Sequence, residues 1–66
     1  MYRHVIIEQG AYVYHKDNQL YVRGEREHKI PIEDIATVLL ASSQITITSR
    51  ALDALVAAGT NVIVCD

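Results

Sequence analysis

The first half of the chain reads as a β-meander, short apolar runs separated by turn residues, with side chains two apart sharing a face along each run. Residues 3–8 and 11–15 predict the first two strands. Gly10 lies between them and predicts a bend with positive φ, so the pair reads as a hairpin. In the second strand Ala11, Val13 and His15 share one face, while Tyr12 and Tyr14 share the other. Residues 16–19 supply turn chemistry, because Asp17 and Asn18 tolerate left-handed backbone. A third strand spans residues 20–23, with Leu20 and Val22 in the core if Tyr21 and Arg23 face outward. Residues 24–29 lack apolar side chains and read as a solvated tip. Pro31 has no N–H, which confines the run Ile30-Pro31-Ile32 to a sheet edge or a short bridge. Glu33-Asp34 predicts a turn, and residues 35–41 read as a buried strand, although periodicity alone would also let Ala36 to Leu40 pass for a helix.

After Thr48 the pattern changes from strand to helix. Ile45 and Ile47 alternate with Thr46 and Thr48 as in a half-buried strand. A helix over residues 49–58 is then expected, capped by Thr48 or Ser49 and stopped at Gly59. Its apolar stripe is Ala51, Leu52, Leu55, Val56 and Ala58. Residues 61–65 are nearly all apolar, the composition of a strand covered on both faces. Residues 44–66 therefore predict a β-α-β unit with a parallel, right-handed crossover. The fold class expected is α+β, mostly β, with hairpins followed by this one β-α-β unit.

A chain of 66 residues makes one domain, and a domain so small buries only about 60% of the surface its unfolded chain exposes. Phe and Trp are absent, so the expected core is Ile, Val, Leu, Ala and the four tyrosines. Cys65 has no second cysteine to pair with, and its apolar neighbours predict a buried, reduced thiol in a reducing, cytoplasmic compartment. No leader pattern is present, and no apolar run nears the roughly 18 residues of a membrane span. Without staples, a second copy or the remainder of a longer chain is expected to supply the missing buried area.

The net charge of −2 argues against a cationic surface over the whole chain but permits a local one. Arg3, Lys16, Arg23, Arg26 and Lys29 are interleaved with Tyr12, Tyr14 and Tyr21, the mixture that contacts phosphates and stacks on bases. Arg3, Lys16, Arg23 and Tyr12 are the DNA-contact candidates. The competing reading places Tyr12, Tyr14 and Tyr21 over the sheet or in a dimer interface. His4, His15, His28, Glu8, Glu25, Glu27, Glu33, Asp34, Asp53 and Asp66 are of ligand type, but none repeats at a spacing such as HExxH, so no metal ligand is assigned. Ser42, Ser43, Ser49 and Cys65 have no elbow or base motif beside them, and no catalytic residue is assigned.

Several runs together carry a resemblance that covers essentially the whole chain: Tyr12-Val13, Leu20 with Val22, Ile30-Pro31-Ile32-Glu33-Asp34-Ile35, Ile45-Thr46-Ile47, Ala51-Leu52-Ala54-Leu55, Gly59 and Val62-Ile63-Val64-Cys65-Asp66. In order and spacing they resemble the N-terminal β-domain of the CRISPR-associated integrase and endonuclease family, the Cas protein numbered one. The resemblance implies a fragment of a longer protein that joins foreign DNA spacers into a CRISPR array, its Mg or Mn site lying in a C-terminal helical domain absent from residues 1–66. It implies that this domain is non-catalytic and serves a homodimer, the small partner protein numbered two, and double-stranded DNA. In some members of the family that it resembles an aromatic residue near the first turn stacks on a splayed base; here that turn is Gln9-Gly10, so the chain departs from this pattern unless Tyr12 takes the role. The alternative is a free-standing, β-rich dimeric regulator that binds DNA or protein.

Overall fold

The computed structural model describes residues 3–65. Those residues form β1 (Arg3–Ile7), β2 (Ala11–Lys16), β3 (Gln19–Arg23), β4 (Glu27–Pro31), a 3₁₀ turn (Ile32–Asp34), β5 (Ile35–Leu40), β6 (Ile45–Ile47), α1 (Ser49–Ala57) and β7 (Asn61–Val64). The class is α+β and mostly β, as the periodicity predicts. Asp66, the end of the expected β-α-β unit, and Tyr2, the fourth tyrosine, lie outside the described residues.

The strands divide into two sheets, one of order β1-β5-β7 and one of order β4-β3-β2-β6. In the first, β1 and β7 each run parallel to the central β5. In the second, β2, β3 and β4 form an antiparallel meander, and β6 joins β2 in parallel. The expected hairpin of β1 and β2 is therefore not formed. Their link at Gln9-Gly10 carries the chain from one sheet to the other. Gly10 is not among the residues with positive φ, and a Cβ there would stand 3.4 Å from Cβ of Gln44, about an ordinary contact distance.

The strand-helix-strand order of residues 45–64 is as expected, but β6 and β7 belong to different sheets. Helix α1 thus spans the two sheets and contacts β2 of one and β7 of the other. Its start is fixed by Thr48, whose Oγ1 accepts from the Ala51 N–H at 3.1 Å. Its end is fixed by Gly59, at φ +79°. Ala51 and Leu55 are buried, whereas Val56 is 68% exposed, so the apolar stripe is narrower than the sequence suggests and Val56 and Ala58 lie outside it.

One core is shared by both sheets and the helix: Ile7, Val38 and Leu40 from the first sheet, Val13, Leu20 and Val22 from the second, Ala51 and Leu55 from α1, with Ile32 and Ile35. Tyr12, Tyr14 and Tyr21 do not join it. Among the described residues β7 pairs with β5 alone, and Ile63, Val64 and Cys65 are exposed, against the expectation of a strand covered on both faces and a buried thiol. Apolar composition alone does not distinguish a central strand from an edge strand.

Candidate nucleic-acid and partner surface

The sequence feature that builds the surface is a turn. Asp17 and Asn18 have φ of 54° and 60°, the left-handed pair of a two-residue hairpin loop. This loop sets Lys16 opposite Gln19, and so Tyr14 opposite Tyr21 and Tyr12 opposite Arg23. A slip of one residue would send these side chains to the core face and bring Val13 and Leu20 into water. Burial of Val13 and Leu20 holds the register from the other side.

The consequence is an aromatic column on the solvent face of the antiparallel sheet. The rings of Tyr14 and Tyr21 stack with centroids 4.9 Å apart and 14° between their planes. Tyr12 stands 5.6 Å from Tyr14 with its ring tilted by 38°. Lys29 Nζ caps the far end, 5.8 Å from the Tyr21 centroid. Tyr12, 46% exposed, is the open end of the column.

Charge borders the rings. Arg23 lies between Tyr12 and Glu27 in the cross-strand row, and Lys16 continues the alternation beyond Tyr14. The Tyr14 hydroxyl donates to Glu27 Oε2 at 2.8 Å. That hydrogen bond, with desolvation and the Glu27 charge behind it, holds the Tyr14 phenol above its ordinary pKa. Lys16 also lines a shallow basin of about 370 Å³ with His15, Asp17, Arg50 and Asp53.

Of the sequence-derived DNA-contact candidates, Tyr12, Lys16 and Arg23 share this face, and Arg3 does not, because β1 belongs to the other sheet. The three dimer-interface candidates, Tyr12, Tyr14 and Tyr21, are adjacent, as their alternation implies. Glu27 and Lys29, read from sequence as parts of a solvated tip, are residues of β4 and belong to the same surface. The signal was present: Glu27, Lys29 and Pro31 keep the outward phase set by the inward Ile30. The tip itself contracts to residues 24–26, closed by a hydrogen bond from the Gly24 N–H to the Arg26 carbonyl.

Among the described residues, no three of His, Cys, Asp and Glu come together in a way that could hold a metal ion. The Mg or Mn implied by the resemblance has no fitting ligand set among them. No helix among these residues is long and apolar enough to cross a membrane. A sequence-family model described as CRISPR associated protein Cas1 matches residues 4–66. No curated protein matches the chain.

Proposed function

Because the chain belongs to the CRISPR-associated protein Cas1 family, we propose that it is the non-catalytic assembly and DNA-positioning domain of a CRISPR-associated endonuclease or integrase that inserts foreign DNA spacers into the array. In this reading it dimerises, docks the small partner protein numbered two, and holds DNA through phosphate contacts and one aromatic ring. The metal chemistry, with Mg or Mn, is assigned to a helical domain outside residues 1–66.

The observation that carries the reading is the column of Tyr21, Tyr14 and Tyr12, closed by Lys29 at one end and open at Tyr12 beside Arg23. Stacking on an exposed ring tolerates any base, and Arg23 and Lys16 supply charge for phosphates without reading sequence. Few cations give a weak electrostatic contact with a shallow log–log salt slope, suited to a domain that positions DNA for another.

Fluorescence anisotropy with a labelled duplex bearing frayed ends tests this. Arg23→Ala and Lys16→Ala should each weaken binding uniformly across sequences and lower the log–log salt slope by about one. Tyr12→Ala should weaken binding of the frayed duplex more than that of a blunt one. Arg3→Ala should act less than Arg23→Ala. Tight, sequence-selective binding at physiological salt, or indifference to all three changes on the tyrosine face, would refute the assignment.

A further inference from the structure

The tyrosine face carries a carboxylate among its cations, and the fold holds it over the sheet. Of the outward strand residues that the β2, β3 and β4 registers bring onto this face, Lys16, Arg23 and Lys29 are cations and Glu27 is the acid. Glu27 begins β4, opposite Arg23, while Tyr14 lies on β2, opposite Tyr21. Strand β3 separates them, so β2 and β4 run about 10 Å apart. The 2.8 Å hydrogen bond from the Tyr14 hydroxyl to Glu27 Oε2 therefore closes above β3, in the interval between Tyr21 and Arg23. Without it, an exposed glutamate at the start of a strand is free to turn into water. Stacking on Tyr21 at 4.9 Å fixes the ring that carries the hydroxyl, and the charge-assisted bond fixes the carboxylate.

We propose that Glu27 is the specificity-determining residue of this face, its carboxylate turning away a continuous phosphate backbone and leaving the Tyr12 corner to a frayed strand end. This role rests on the DNA-positioning reading above and adds a selection to it. The row Tyr12, Arg23, Glu27 crosses the sheet in that order. A strand end whose last base stacks on Tyr12 brings its phosphate to Arg23 and stops short of Glu27. A backbone that continues along the row meets the carboxylate next, and like charges repel. Lys29 does not cancel that repulsion, because its Nζ is drawn over the Tyr21 ring, 5.8 Å from the centroid. In water a unit charge about 7 Å from a phosphate changes an equilibrium constant by about threefold. Such a factor separates two kinds of DNA while both stay weakly bound.

Fluorescence anisotropy of the purified chain with a frayed duplex and with a blunt duplex of the same sequence is the test, at low salt where surface charges are least screened. The unmodified chain should prefer the frayed duplex. Glu27→Gln removes the charge but keeps an oxygen that accepts from Tyr14, and should tighten the blunt duplex about threefold and the frayed one little, so that the preference narrows. Tyr14→Phe keeps the ring and the charge but releases the carboxylate to water, and should narrow the preference by a smaller factor. Glu33→Gln makes the same change of net charge in the exposed turn beyond the far end of β4 and should leave the preference as it was. Far-UV circular dichroism checks that each variant folds, and if Glu27→Gln does not, Tyr14→Phe decides. Binding that appears only with Glu27→Gln supports the role. A preference unchanged in Glu27→Gln, a gain equal for both duplexes or matched by Glu33→Gln, or a loss of binding overturns the selection and leaves the DNA reading standing. Tyr14→Phe without effect on the preference overturns the positioning by the hydroxyl. Binding of neither duplex, by the unmodified chain and Glu27→Gln alike, overturns the DNA reading and this role with it.

Discussion

The Thr60 hydroxyl donates to the Ile35 carbonyl at 2.9 Å, joining the exit of the helix to the first residue of the central strand of the parallel sheet. Thr60 is a buried polar residue, and its own N–H donates to Leu55 at 2.9 Å, so both polar groups satisfy partners that water does not reach. Thr60→Val keeps the shape but leaves the Ile35 carbonyl without this donor. Urea denaturation should show a loss of about 1–2 kcal/mol, and Thr60→Ser should recover much of it.

Burial around α1 is one-sided, and a pair of substitutions reports it. Leu55 is fully buried, so Leu55→Ala should cost about 2–5 kcal/mol, of the order of a small domain's whole stability. Val56→Ala, one position on, should change stability by no more than about 0.5 kcal/mol. Equal costs in thermal or chemical denaturation would place the helix in a different rotation.

The Tyr14 and Glu27 pair gives a pH signature. Folding raises the Tyr14 pKa, chiefly through the hydrogen bond to Glu27, so the folded state holds the phenolic proton more tightly than the unfolded chain. The resulting stabilisation is fully present below the ordinary tyrosine pKa of about 10 and is lost as pH rises through the higher folded value. The stability difference between the unmodified chain and Tyr14→Phe should therefore be constant from pH 7 to 9 and shrink above that. A difference that grows with pH would reverse the assigned direction.

Cys65 is exposed in a strand extension held to Leu40 by one backbone hydrogen bond of 2.9 Å. A thiol reagent such as DTNB should label it in the native protein at a rate close to that in denaturant. Labelling only after unfolding would mean the thiol is covered.

Purified chain incubated with plasmid and Mg²⁺ or Mn²⁺ should leave the plasmid supercoiled, because phosphoryl transfer needs converging metal ligands and the described residues supply none. Nicking that is abolished by substitutions within residues 3–65 would contradict the non-catalytic assignment.

Local elements and the faces of their side chains are legible from the order of residues alone. A period of two set Val13, Leu20 and Val22 inward and Tyr12, Tyr14 and Tyr21 outward, since alternation is a property of one strand and needs no partner. Thr48, Gly59 and the Asp17-Asn18 pair fixed helix ends and a turn through chemistry confined to a few neighbouring residues. The tyrosine surface was legible to the same extent, because one short turn sets its main register. Pairing of distant strands was not legible. Alternation states which side chains share a face but not which strand lies alongside, and β1, β6 and β7 all pair in parallel with strands remote in the chain. Only the shared core, which draws on both sheets and α1, decided that β1 leaves β2 for β5 and that the helix spans two sheets. The same partition removed Arg3 from the tyrosine face, brought Glu27 and Lys29 onto it, and left β7 an edge, because burial is settled by what packs against a strand and not by its own composition.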